Sequence, residues 1–388
     1  MRILHAVESY TPAVGGAQEV VRQVSERLAA RGHEVTVATS SRPDRRENSI
    51  AGVEVAEFDV RGNEVRGMSG DVESYRQFVA EGGFDVLMTY AAQQWTTDAL
   101  LPVLDAVRTP KVLAPCGFSG LRDPAYTGYF KRLPERLRSF DELIFHSGTY
   151  QDIRFAREAG VERLSVIPNA ADEREFAAER PSGAFRAAHG IAPNEPLLLT
   201  VGGHTGLKGH AQSIAALRAS DGAAGGTLAI VGNTPTGRGC RPLCAARAAF
   251  TRVAGRGRRV LLLDPPREQL LDAYADADLF VFCSMVECSP LVLFEAMAAG
   301  LPFVSVDVGN AEEIAEWSGA GVIVPSPRRE KGLVDADPRA VAAAIDELLA
   351  DPGARRAMGE RGRRAWRERF TWDSAAAQYE RVYERVAA

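Results

Sequence analysis

The chain has 388 residues, of which 46% are hydrophobic and 25% charged, and its formal net charge is −5. This is an ordinary globular mix, long enough for roughly two or three domains, and it lacks the basic footprint of a nucleic-acid binder. The five cysteines (Cys116, Cys240, Cys244, Cys283, Cys288) are odd in number and widely spread. That argues against a disulfide framework and for a reducing, cytoplasmic setting. The opening MRILHAVESY is too brief an apolar run for a signal peptide, and no stretch approaches the ~20 apolar residues that cross a bilayer.

Residues 2–7 (RILHAV) read as a buried strand, and Ala17, Val20, Val21, Val24 and Leu28 repeat at helical spacing until Gly32. Further strands are expected at 34–39, 84–90, 110–115, 142–146 and 163–168. A polar stretch at 172–195, with Pro181, Gly183, Gly190 and Pro193, is the candidate boundary. Strands then return at 196–202, 227–232, 259–263, 278–283, 302–306 and 321–324, with helices at 208–219, 266–276 and 290–299. Such alternation, with continuous apolar strands, implies an α/β fold of two doubly wound parallel-sheet (Rossmann-like) domains. The expected division is 1–180 and 181–372, with a helical tail. Ligands of such sheets sit at the carboxyl ends of the strands, so two facing domains would make a cleft.

The most informative segment is 283–306, CSMVECSPLVLFEAMAAGLPFVSV. A strand ends, a polar loop carries Glu287 and Ser289, and Pro290 opens a helix that Gly300 stops. Free amides and the positive dipole end of the first turn make an anion site, bracketed by Glu287 and Glu295. This segment resembles the E-x(7)-E region of family 4 retaining glycosyltransferases with the GT-B fold, matching at Glu287, Pro290, Leu291, Glu295, Ala296, Ala298, Gly300 and Pro302. The resemblance implies that Glu287 contacts a donor sugar, that Glu295 holds ribose hydroxyls, and that the stretch Ser289, Pro290, Leu291 and Val292 reaches the phosphates with its backbone amides, Pro290 itself having no N–H to give. It also implies that the last helix, 373–388, returns to the first domain.

The second candidate site is 200–210, TVGGHTGLKGH, where Lys208 can set a point charge against a departing diphosphate. It resembles the family's V-G-R-x(4)-K-G segment, except that Gly203 stands where an arginine is usual. Either His204 beside it takes over part of the phosphate contact or an arginine from elsewhere does. The third is the loop 7–18, whose Gly15 and Gly16 let backbone approach a ligand closely; it resembles the family's N-terminal glycine loop. VIPNA (166–170) and VGN (231–233) extend the resemblance along the chain.

Where many relatives have a histidine–glycine pair, this sequence has Cys116-Gly117. His146, one strand later, is either a catalytic imidazole in the same cleft or a packed histidine. Asp276 and Asp278 form a literal D-x-D, read as a helix end and strand entry rather than a metal site. Cys240 and Cys244 can share a helix face, but no histidine or second cysteine pair follows at zinc-site spacing, and no metal or other cofactor is expected. The basic, aromatic stretch 129–140 is either a solvated face or a contact with an anionic membrane surface near a lipid-linked acceptor.

The implied activity is a retaining, metal-independent hexosyl or N-acetylhexosaminyl transfer. The donor would be a nucleotide-diphosphate sugar, UDP before GDP. The acceptor hydroxyl would be carbohydrate, lipid-linked or a small molecule, in surface polysaccharide or glycolipid assembly. Natural-product glycosylation and non-catalytic sugar-nucleotide binding are the alternatives.

Overall fold

A computed structural model describes every residue except 179, 181–182, 235–238 and 255–256. The chain divides into two compact units: unit 1 comprises Met1–Asn169 and Trp372–Ala388, and unit 2 comprises Ala170–Thr371. The change falls at Ala170 rather than at 181; Pro181 itself lies outside the described residues. Phe176 and Phe185, before and after the expected boundary, are both buried in the core of unit 2, and Trp366 Nε1 donates to the Ala171 carbonyl at 3.1 Å. Packing therefore claims these residues for the second unit although their local sequence is polar.

Unit 1 holds β1 (Arg2–Ala6), β2 (Glu34–Ser40), β3 (Ser49–Ile50), β4 (Val53–Phe58), β5 (Val60–Asn63), β6 (Gly67–Gly70), β7 (Val86–Tyr90), β8 (Lys111–Ala114), β9 (Glu142–Phe145) and β10 (Leu164–Val166). Eight of them form one sheet in the order β10-β9-β8-β7-β1-β2-β4-β3. It is parallel except for the short β3–β4 pair. Strand β7 is buried at every position, as expected where helices cover both faces. The segment 40–80, which carried little periodicity, contains β3, β4, the β5–β6 hairpin and the helix Val72–Glu81. The final helix Trp372–Ala387 packs in unit 1: Asp373 pairs with Arg27 at 2.9 Å, and the Tyr383 hydroxyl lies 2.9 Å from Nε2 of the buried His5.

Unit 2 holds β11 (Leu197–Val201), β12 (Thr227–Val231), β13 (Arg259–Leu263), β14 (Leu279–Phe282), β15 (Phe303–Val306) and β16 (Gly321–Val324). All six are parallel, in the order β13-β12-β11-β14-β15-β16. Counted from β11 this is 3-2-1-4-5-6, the order of dinucleotide-binding sheets. The connections reverse direction between β11 and β14, so the loops leaving those two strands part and open a crevice at their carboxyl ends.

Candidate functional site

The two loops at that switch point are the ones singled out by sequence. The β11 loop delivers Lys208, and the β14 loop delivers Glu287. Lys208 Nζ donates to Glu287 Oε1 at 2.6 Å, and the Ser284 hydroxyl donates to the same oxygen at 2.7 Å. The ammonium is thus held in place rather than left on a flexible stem. The pair keeps partial solvent access, 31% for the lysine side chain and 14% for the glutamate, which a ligand needs.

The backbone dictates how closely these loops meet. Gly209 has φ +67°, and a Cβ there would stand 1.8 Å from the Cys283 carbonyl oxygen. Only glycine permits the β11 loop to lie on the end of β14 in this way. The amide of Met285 then donates to Leu207 at 2.8 Å, tying the loops again. At Gly203 a Cβ would meet Asn233 Oδ1 at 2.7 Å, and the neighbouring His204 amide donates to the Asn233 carbonyl at 2.9 Å. An arginine at 203 would therefore displace Asn233. The His204 side chain is fully buried, with Nδ1 3.6 Å from Cys240 Sγ. It faces the interior, which corrects the expectation that it contacts a phosphate.

Pro290 precedes the helix Leu291–Ala299. Leu291 and Val292 are partly exposed at its start, whereas Ser289 is only 8% accessible. The helix interior (Leu293, Phe294, Ala296, Met297, Ala298) is core, and Glu295 interrupts it. That carboxylate is clamped: Arg267 Nη2 donates to Oε1 at 2.5 Å and the Tyr274 hydroxyl to Oε2 at 2.7 Å. Arg267 also pairs with Glu175 at 2.6 Å. Burial, then the Glu295 charge, push the Tyr274 phenol far above its ordinary range, so it stays a donor. A carboxylate has about four acceptor positions, and Glu295 keeps capacity for two more hydrogen bonds. Sequence reading missed Arg267 and Tyr274; their separation of seven residues on one helix was the available signal.

The remaining candidates lie in unit 1. Gly15 caps the helix Gly16–Ala30, and nothing lies within 4 Å of a Cβ built on Gly16. His146 is 2% exposed, and its Nδ1 lies 2.9 Å from the Ile167 carbonyl. A carbonyl only accepts, so Nδ1 carries the proton and Nε2 accepts from the Tyr90 hydroxyl at 2.9 Å. Burial lowers its pKa to about 4. Of the two roles considered for His146, this is the packed one.

Asp276 accepts from the amides of Gly183 and Arg186, and Asp278 pairs with Arg186 at 2.9 Å and Arg355 at 3.1 Å. The D-x-D is thus occupied as a helix end and strand entry. In 129–140, Tyr129, Phe130, Leu133, Leu137 and Phe140 are buried, and Arg132 and Arg136 both pair with Glu64. Its apolar side is core and offers no greasy face to a membrane. Among the described residues no helix is long and apolar enough to cross one.

Comparison with known proteins extends the same pattern over the chain. The family profile described as Glycosyltransferase Family 4 matches residues 14–175, and the one described as Glycosyl transferases group 1 matches residues 182–365. The chain is 28% identical to a D-inositol 3-phosphate glycosyltransferase of Xylanimonas cellulosilytica, over 96% of this chain and 92% of that protein. The sucrose-phosphate synthase of Thermosynechococcus elongatus superposes with a TM-score of 0.79 at 21% identity, covering 99% of this chain and 98% of the other. Anabaena HepE in complex with UDP-glucose gives 0.74 at 18% identity, covering 99% and 100%. The structural likenesses speak for the fold, GT-B, and the profiles for the family. The chain belongs to the family 4 glycosyltransferases and is a transferase enzyme.

Proposed function

We propose that unit 2 binds a nucleoside-diphosphate sugar, UDP-linked before GDP-linked, and that the enzyme transfers the sugar to a hydroxyl with retention of anomeric configuration. The observation that carries this reading is the Lys208–Glu287 pair, 2.6 Å apart, at a switch point beside the partly exposed start of the helix Leu291–Ala299. A diphosphate there would accept from the first-turn amides and face the ammonium. Glu295, on the same helix, would take the ribose hydroxyls. The complex of Anabaena HepE with UDP-glucose supports a uridine donor by analogy of fold.

In the reaction the bond from C1 to the β-phosphate oxygen breaks and a bond from C1 to the acceptor oxygen forms on the same face. The acceptor proton passes to the departing phosphate. Lys208 and the helix amides offset the charge that develops on the diphosphate, each by on the order of a few kcal/mol. The acceptor read from sequence is a carbohydrate, lipid-linked or small-molecule hydroxyl. The Xylanimonas relative, named for inositol 3-phosphate, supports a small phosphorylated polyol as the second acceptor class.

The test is thermal unfolding across UDP, GDP, ADP and their sugars, since a ligand that prefers the native state raises Tm. A uridine ligand is expected to raise Tm most; no shift from any nucleotide overturns the reading. Slow hydrolysis of the stabilising sugar nucleotide, with the released sugar's first-formed anomer read by NMR, separates an enzyme from a binding protein and retention from inversion.

A further inference from the structure

Lys208 sits between two buried histidines in sequence. His204 precedes it by four residues, and His210 follows it by two as the first residue of the helix His210–Ala219. They are 0% and 2% exposed. Their rings meet edge to face, with centroids 4.7 Å apart. Each turns Nδ1 toward the same sulfur: Cys240 Sγ lies 3.6 Å from His204 Nδ1 and 3.7 Å from His210 Nδ1. Cys244, 1% exposed and one turn along the helix Arg241–Ala254, brings its Sγ within 3.7 Å of Cys240 Sγ. All four donor atoms lie within 4.8 Å of one another. The Nε2 atoms of both histidines are buried, and neither has a hydrogen-bond partner among the described residues.

Hydrogen bonding alone accounts poorly for this cluster. Thiols are weak donors and acceptors, so two imidazoles and two thiols taken from water would recover little. Metal geometry accounts for it well. With metal–sulfur bonds of about 2.3 Å and metal–nitrogen bonds of about 2.0–2.1 Å in a tetrahedron, sulfurs stand about 3.8 Å apart and nitrogen and sulfur about 3.6 Å. Three of the six donor–donor separations, 3.7, 3.6 and 3.7 Å, are these within 0.1 Å, and the other three are no longer than 4.8 Å. Two imidazoles with two thiolates, tetrahedral and closed, is a donor set for zinc in a structural role.

We propose that His204, His210, Cys240 and Cys244 form a zinc(II) site that fixes the loop carrying Lys208. Binding releases both thiol protons to solvent, and the two thiolates balance the charge of the ion. The site adds no net charge beside the donor's diphosphate. What it supplies is rigidity: it clamps both ends of the Lys208 loop to the start of the helix Arg241–Ala254. The clamp also continues a backbone tie, the Cys240 amide donating to the His204 carbonyl at 2.8 Å. The search for a histidine after the cysteine pair missed it because the histidines come 30 residues and more earlier in the chain.

The site is tested on the whole protein, purified under reducing conditions without chelator or metal-affinity resin. Elemental analysis is expected to find about one zinc per chain after exposure to zinc chloride and gel filtration. Cobalt(II) in its place is expected to give the visible bands of a tetrahedral ion together with thiolate charge transfer. Cys244→Ser and His210→Gln are each expected to weaken zinc binding by about 10-fold or more. Chelation of the wild type is expected to lower Tm by on the order of 5 °C. Less than a tenth of an equivalent of zinc in the reduced wild type, with no cobalt spectrum, overturns the proposal whether or not the variants fold. A Cys240–Cys244 disulfide in freshly purified protein, seen as both cysteines failing to alkylate in denaturant with chelator and alkylating once reductant is added, also overturns it. None of these readouts depends on donor binding, so this inference and the proposed function fail separately.

Discussion

The two units use related strand orders and spend their buried polar groups differently. In unit 1 two histidines, His5 and His146, are closed into the core, while His33 pairs with Glu380 nearer the surface. His5 has Ser25 at 2.7 Å and Tyr383 at 2.9 Å, and His146 has the Ile167 carbonyl and the Tyr90 hydroxyl, both at 2.9 Å. Each ring has an oxygen partner at both nitrogens and serves to join elements. In unit 2, His204 and His210 turn toward sulfur, and Lys208 and Glu287 keep access to solvent at the switch point. A shared topology therefore says where a site can be. Which unit carries the chemistry is decided by whether the polar groups at that place are already satisfied.

The largest expected effect tests this contrast directly. Lys208→Ala is expected to lower turnover by about 10²–10³ while leaving the fold intact, because the lysine's partner Glu287 keeps Ser284. His146→Gln is expected to change turnover less than tenfold and to appear mainly as lost stability. Steady-state kinetics on the two variants checks both. Equal losses would mean that the imidazole takes part in the chemistry and would break the comparison.

Acid should find unit 1 through the same histidines. Burial lowers His5 to about 3 and His146 to about 4, from an ordinary value of 6.5. Below pH 6.5 the unfolded chain takes up protons that the folded unit refuses, so stability falls as pH drops toward 4. The buried Asp98 works in the opposite sense. Burial raises it to about 6, so between about pH 4 and 6 the folded unit holds a proton that the unfolded chain has lost. Two histidines against one carboxyl leave a net loss on the order of a few kcal/mol on going from pH 7 to pH 4. Hydrogen exchange of peptides from β1 and β9 at the two pH values measures it. Asp98→Asn is expected to steepen the loss, and an unchanged slope would remove Asp98 from the account.

Gly209→Ala comes next in size. Positive φ and a Cβ driven against the Cys283 carbonyl are expected to cost about 2 kcal/mol or more. The cost should appear as a lower Tm and weaker nucleotide binding together. A wild-type Tm in this variant would mean that the β11 loop is free to move off β14.

Much of this was legible in sequence, for local reasons. The twelve anticipated strands are continuous apolar runs, and runs such as TLAIVG announce strands buried on both faces. The Lys208 and Glu287 segments were legible because glycine, proline and charge fall at fixed offsets around a strand end. Other features were set by distant packing and were not. Residues 49–70 form four strands of two to six residues; only β4 alternates, with Val53 and Val55 buried, and so short a run did not stand out. His204 sits in a glycine-rich loop that looks exposed, yet the fold buries it against Cys240. Arg267 and Tyr274, seven residues apart on one helix, share a face, but their common purpose shows only once Glu295 is placed beside them.

The smallest expected effect bears on the N-terminal glycines. Gly16 opens a helix, and a methyl group there meets nothing within 4 Å. On stability alone, Gly16→Ala is expected to be neutral or to add up to about 1 kcal/mol, because alanine loses less conformational freedom on folding. The glycine is therefore unnecessary for the fold of unit 1, unlike Gly209 in unit 2. If turnover nevertheless falls while Tm holds or rises, the open space above Gly16 is space that a substrate uses. If turnover is unchanged, the loop is a plain strand-to-helix turn, and the chemistry of the chain is confined to unit 2.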